Sequence, residues 1–142
     1  MKLGLILTCT ALILLLCLPS CTTGTSVEVS CDDFMQQKHI SKEVAAAVGG
    51  SFTVTLCSNA TTGFQWPESA QISDPTVVQQ IKHESVPPET EEAEGLVGAP
   101  GKEVWTFKAL KKGTSTISLE YGRPWEGGEQ GEWTFNLTVV VK

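Results

Sequence analysis

A chain of 142 residues is the size of one domain with room for a leader. Its 16 acidic residues against 10 Lys and Arg give a formal charge of −6, which argues against binding nucleic acid or an anionic membrane through the surface. Two histidines and scattered acids show no metal-ligand spacing, and no cofactor motif is present.

Residues 1–20 read as a targeting segment. Lys2 is their only charge, Leu3 to Leu18 is almost wholly apolar, and Pro19-Ser20 ends the run. A short basic start, an apolar middle and a small residue before the cut describe a secretory signal, and the run is too short for a membrane span. Leu18-Pro19-Ser20-Cys21 also resembles a bacterial lipobox, with Cys21 as the lipidated first residue, although Pro19 is unusual there. The expectation is an exported protein, secreted or anchored through Cys21. Export removes Lys2 and no acid, so the charge of −6 becomes −7. Of five cysteines, Cys21, Cys31 and Cys57 remain. In an oxidising compartment Cys31 and Cys57 are either a disulfide or two free thiols, and the sequence leaves both open.

After a tether at 21–25, Ser26 to Ser30 alternates around Val27 and Val29 and predicts a short strand. Asp32 to Gln37 reads as a turn or one helical turn capped by Asp32. Ile40 to Val48 is ambiguous: its alanines favour helix, while Val44, Ala46 and Val48 keep a strand parity. Gly49-Gly50 turns the chain into a strand over Ser51 to Leu56. Asn59 to Gly63 is a short polar loop, stiffened by two threonines, with an Asn able to bond the backbone two residues on and a Gly free to take positive φ. Phe64 and Trp66 resume an alternation. Pro67 to Pro75 reads as loop and Val77 to Val86 as a strand, with Val77 and Ile81 on one face. Pro87 to Lys102 has no apolar period and carries the acidic run Glu89 to Glu94; a loop this long is often functional.

The last forty residues are the clearest. Trp105 and Phe107 share a parity, Lys111-Lys112-Gly113 is a turn, and Ile117, Leu119 and Tyr121 alternate. After a loop over Gly122 to Gly131, the residues Trp133, Phe135, Leu137, Val139 and Val141 alternate without a break. Such alternation marks half-buried strands of an antiparallel sheet. About seven strands at this spacing predict an all-β, immunoglobulin-like antiparallel β-sandwich. Phe52, Phe64, Trp66, Trp105, Phe107, Tyr121, Trp133 and Phe135 sit at core parity.

Three connections in such a sandwich are expected at one end: Asn59–Gly63, Gly98–Gly101, and Arg123-Pro124-Trp125. Trp125 stands between Pro124 and Glu126, off any core parity, and Trp and Arg are enriched at binding hot spots. The alternative is that Trp125 folds back over the end of the sandwich.

These segments carry a resemblance. Asn59-Ala60-Thr61-Thr62-Gly63-Phe64, Gly98-Ala99-Pro100-Gly101 and Arg123-Pro124-Trp125 are similar, in order, to the three motifs of the chagasin-like inhibitors of papain-family cysteine peptidases. The likeness spans Ile40 to Lys142, giving a signal at 1–20, a tether and first strand at 21–39, and the inhibitor domain at 40–142. It implies a monomer that binds a papain-family cysteine peptidase through Asn59, Thr61, Thr62, Gly63, Phe64, Gly98, Ala99, Gly101, Arg123, Pro124 and Trp125. Thr61 to Gly63 would cover the catalytic Cys–His pair, with the other two loops on either side. Ala60 stands where the family has proline, and Pro100 where it has glycine. Two other classes are less consistent with these residues. Catalysis lacks any signature around Cys31, Cys57, His39 or His83. A general adhesion or binding sandwich shares the fold, which by itself does not settle function.

Overall fold

The computed structural model describes residues 24–88 and 98–142. The signal segment, Cys21 and the acidic run Glu89 to Glu94 lie outside the described residues. Among the described residues, eight strands form two sheets of four: β1 (Thr25–Val29), β2 (His39–Ala46), β3 (Ser51–Ser58), β4 (Gln71–Ile72), β5 (Val78–Val86), β6 (Gly101–Ala109), β7 (Gly113–Tyr121) and β8 (Trp133–Val141). One sheet runs β1-β3-β6-β5, the other β2-β8-β7-β4. Apolar side chains of β3, β6, β7 and β8 alternate inward, and Phe52, Val54, Trp105, Phe107, Leu119, Phe135 and Leu137 fill the space between the sheets.

The architecture is the expected β-sandwich, and it differs from the expectation in detail. β4 (Gln71–Ile72) is a two-residue strand inside the stretch read as loop; it pairs with Ser118 and Ile117 of β7. The sheets are not wholly antiparallel. β1 pairs parallel with β3, and β2 pairs parallel with β8. The chain reaches this by crossing from one sheet to the other through helix α1 (Cys31–Gln36).

The cap of α1 is Ser30, not Asp32. The Ser30 hydroxyl accepts from Asp33 N–H at 3.2 Å, and the Asp33 carboxylate accepts from Ser30 N–H at 2.9 Å, a reciprocal capping box. Hydrogen bonds from the Ser30 side chain, then from its backbone, hold the Asp33 carboxyl below its ordinary range. The helix is short, but it delivers Phe34 into the core, fully buried, stacked on Trp133 at 4.9 Å and against Trp66 at 5.4 Å. Cys31 is disulfide-bonded to Cys57, with Cα atoms 5.1 Å apart, so α1 is tied to the end of β3.

The ambiguous stretch from Ile40 resolves as strand as far as Ala46, because β2 has a ready edge of β8 to pair with from His39↔Thr134 to Ala46↔Val141, while Val48 falls in the turn that follows. Ile81 does not share a face with Val77. A β-bulge falls between Gln80 and Lys82, inverting the parity there, and Ile81 is 53% exposed on the sheet edge. Phe64 and Trp66 flank a single bridge residue, Gln65, rather than forming a strand. Trp66 is nevertheless buried, and its indole N–H donates to Cys57 C=O at 2.9 Å.

Candidate functional site: three interlocked loops at one end of the sandwich

The β-ladder fixes where the loops emerge. Ser58, the last residue of β3, pairs with Gly101, the first of β6. Tyr121 ends β7 opposite Trp133 at the start of β8. Gln65 and Gly122 then exchange backbone hydrogen bonds at 2.8 and 3.1 Å. The segments 59–64, 98–101 and 122–131 therefore share one end of the molecule.

The first loop is a single 3₁₀ turn, Ala60–Thr62, and its own side chains stitch it. Asn59 Oδ1 accepts from Thr61 Oγ1 at 2.7 Å and from Thr61 N–H at 3.3 Å. Asn59 C=O accepts from Thr62 Oγ1 at 2.7 Å and from Thr62 N–H at 3.2 Å. Gly63 closes the turn with φ +79°, and its N–H donates to Ala60 C=O at 3.2 Å. Ala60, Thr61 and Thr62 are left exposed. The turn presents two β-branched residues whose rotamers are already committed to internal bonds.

Each neighbouring loop is fastened to this turn. Asn59 Nδ2 donates to Gly98 C=O at 3.0 Å, which joins the second loop. On the other side the Trp125 ring lies against Gly63. A Cβ on Gly63 would come within 2.8 Å of Trp125 Cη2, so only glycine satisfies both the left-handed φ and this contact. Trp125 remains 53% exposed, so it covers Gly63 without being withdrawn from solvent. The Arg123 guanidinium lies over the Phe64 ring at 4.5 Å and is 5.8 Å from the Trp125 ring. Within the third loop, Arg123 N–H donates to Glu129 C=O at 2.7 Å, its guanidinium is 3.6 Å from the Glu129 carboxylate, and Gln130 Nε2 donates to Arg123 C=O.

The structure brings Asn59, Thr61, Thr62, Gly63, Phe64, Gly98, Arg123 and Trp125 into one network, with Ala99 and Pro124 beside it. Two of the residues differ in character from their expectation. Gly101 is the first residue of β6, where a Cβ would meet Val86 C=O at 2.5 Å; packing, not display, requires glycine there. Arg123 is directed inward along Phe64 as much as outward.

Two features were missed from sequence. Tyr121, read only as a core aromatic, carries a hydroxyl that bonds the backbone of Asn59. Beneath the first loop, the buried Glu103 carboxylate accepts from Ser58 Oγ at 2.8 Å and lies 2.8 Å from His83 Nε2. A signal for the second was available: Glu103 shares core parity with Trp105 and Phe107, and a carboxylate there needs partners.

Among the described residues of the three loops no nucleophilic side chain is paired with a base, and the loops form one hydrogen-bonded, solvent-facing edge. This is the construction of a binding sandwich that works by shape. The family profile of the chagasin family of peptidase inhibitors, I42, matches residues 45–139. Amoebiasin-2 of Entamoeba histolytica is 33% identical over 89 residues, which are 63% of this chain and 68% of that protein. Chagasin of Trypanosoma cruzi is 31% identical over 106 residues, 73% of this chain and 91% of that one. The crystal structure of the Entamoeba histolytica cysteine protease inhibitor EhICP2 shares the fold with a TM-score of 0.63 at 22% identity, over 84% of this chain and 98% of that one. PbICP-C, solved in complex with falcipain-2, shares it with a TM-score of 0.52 at 21% identity, over 84% of this chain and all of that one (100%). The chain belongs to the chagasin family. It is a peptidase inhibitor and not an enzyme.

Proposed function

We propose that the protein inhibits papain-fold cysteine peptidases by obstruction, with Thr61, Thr62 and Gly63 over the catalytic Cys–His pair, Gly98 to Gly101 along one wall of the cleft, and Arg123 to Trp125 along the other. The observation that carries this reading is the fastening of both flanking loops to the exposed Ala60–Thr62 turn. A surface already held in one shape loses little entropy on docking. A contact of roughly 800 Å² on each partner is the ordinary size for such a complex. The same turn is expected to resist cleavage: Ala60–Thr62 is 3₁₀ and Gly63 left-handed, so the segment is not extended for attack. We further propose that the protein acts outside the cytoplasm, secreted or anchored at Cys21; the apolar run after Lys2 and the Cys31–Cys57 disulfide support this.

Steady-state inhibition of papain or a cathepsin-like enzyme at several substrate concentrations tests the reading. Competitive inhibition at sub-micromolar concentration is expected, with the inhibitor's intact mass unchanged after prolonged incubation. Absence of inhibition across papain-fold enzymes, or a cut at Thr62–Gly63, would contradict it.

Ala60 offers a smaller, constructive test. It is the first residue of the turn, where proline fits and where a helix leaves the N–H unused. Asn59 before it is at φ −127°, ψ 87°, outside the helical region that a following proline disfavours. Ala60→Pro is therefore expected to tighten inhibition by a few tenths to about 1 kcal/mol, roughly two- to fivefold in Ki. A weaker Ki would show that the turn needs a φ that proline cannot supply.

A further inference from the structure

The hydroxyl of Tyr121 is placed for a task that its ring does not explain. The side chain is 2% exposed, at the end of β7 and immediately before the third loop. Its ring is hemmed in by Trp133 at 4.8 Å, Trp66 at 4.9 Å and Phe64 at 5.6 Å. That packing fixes where the hydroxyl sits. The hydroxyl belongs to the sheet β2-β8-β7-β4, but it reaches across to the residue that follows β3 of the opposite sheet. There it accepts from Asn59 N–H at 2.9 Å and donates to Asn59 C=O at 3.2 Å. One oxygen thus satisfies both backbone groups of one residue.

We propose that Tyr121 is a positioning residue of the inhibitor, its buried hydroxyl fixing the first loop by bonding both sides of the Asn59 backbone. Asn59 is the residue from which the exposed turn hangs. The same carbonyl that Tyr121 holds also accepts from Thr62 N–H and Thr62 Oγ1, and the Asn59 side chain holds Thr61 and Gly98. Fixing Asn59 therefore fixes the orientation of Thr61 and Thr62 and the seat of the second loop. Because Gly122 and Arg123 follow Tyr121 directly, the clamp also locks the first loop to the base of the third. Tyr121 is too deeply buried to touch a peptidase, so the effect of its hydroxyl on inhibition passes through Asn59. The effect on inhibition rests on the proposed function above; the effect on the loop does not.

Tyr121→Phe tests this, since it deletes one oxygen and keeps the stacked ring. Three measurements are made on the whole protein: amide hydrogen exchange, Ki against papain, and a double-mutant cycle with Thr62→Ala. The expected result is at least tenfold faster exchange at Asn59, Thr62 and Gly63 with unchanged exchange at Phe107 and Leu137, and a Ki about tenfold weaker. The losses from Tyr121→Phe and Thr62→Ala should be less than additive, because a loosened turn no longer presents Thr62. A side chain serving only global stability would leave exchange in the turn in step with the core and leave Ki unmoved. Unchanged exchange at Asn59, or faster exchange with an unchanged Ki, overturns the proposal. If the wild-type protein inhibits no papain-fold enzyme, the proposed function fails, while the exchange measurement still decides whether the hydroxyl holds the loop.

Discussion

Trp125→Ala is expected to weaken inhibition of a papain-fold peptidase by about 2–4 kcal/mol, roughly 30- to 700-fold in Ki, with the fold intact. Trp125 is 53% exposed, a large apolar surface on the loop edge. A tryptophan that covers the outer half of its ring on docking removes roughly 100 Å² from water, worth about 2.5 kcal/mol at the usual coefficient. A second contribution comes from its neighbour. The Trp125 ring is the wall against which Gly63 rests, and Arg123 is stacked between Phe64 and the same loop. Removing the indole loosens the turn as well as deleting a contact. Trp125 is not part of the core cluster of the described residues, so the melting temperature should move by no more than a degree or two. A large loss of stability with little change in Ki would mean that the ring serves as a cover for the end of the sandwich.

The second large effect is on stability. Replacing Cys31 and Cys57 together by serine opens a bridge between residues 26 apart in sequence. The chain-entropy relation gives about 3–4 kcal/mol for a loop of that length, and a drop in melting temperature of roughly 10–20 °C. The bridge is more than a link between two strands. It fastens α1, whose Phe34 fills the space between Trp66 and Trp133, to the end of β3 just before Asn59. At 25 °C the loops remain held by Asn59, Tyr121 and the β-ladder, so Ki should change only a few-fold. Thermal melting of the double variant, and of the native protein with and without a dithiol reductant, checks this. Equal melting temperatures would mean that the helix is anchored by Phe34 packing alone.

The sandwich was legible wherever burial imposes a period on the chain. The unbroken alternation from Trp133 to Val141 and from Trp105 to Ala109 reflects strands with one face in the core, and that constraint acts residue by residue. It fails where a partner strand decides. Ile81 has the parity of Val77 in sequence, but the bulge that turns it outward exists only in the pairing with β6. Gln71–Ile72 is too short to show a period. The parallel pairings of β1 with β3 and of β2 with β8 are decided by a crossover that no local pattern encodes. The cap of α1 was a readable signal: Ser30 followed three residues on by Asp33 is a capping box, and Asp32 lacks such a partner.

The loops were legible as motifs and as a topological expectation, but not as a mechanism. Sequence shows that Asn59 suits a turn, that Gly63 tolerates positive φ, and that Trp125 lies off the core parity. It does not show that Asn59 reaches Gly98, that Gly63 is pressed by Trp125, or that Arg123 lies on Phe64. Those contacts join segments 39 to 62 residues apart, and they depend on the twist and spacing of two sheets. Together they turn three separately weak loops into one rigid edge.

The central claim is that the first loop occupies the catalytic cleft. Thr62 is exposed at the crest of the turn, its hydroxyl bonded inward to Asn59. Aspartate at this position keeps the size of the side chain but places a charge where a desolvated contact is required, against the reacting centre of the enzyme. The most direct measurement is the Ki of wild type and Thr62→Asp against papain, with thermal melting confirming that both are folded. The account predicts competitive, sub-micromolar inhibition by the wild type and a loss of at least about a hundredfold in the variant. A folded Thr62→Asp protein that inhibits as well as the wild type would place the contact elsewhere and contradict it.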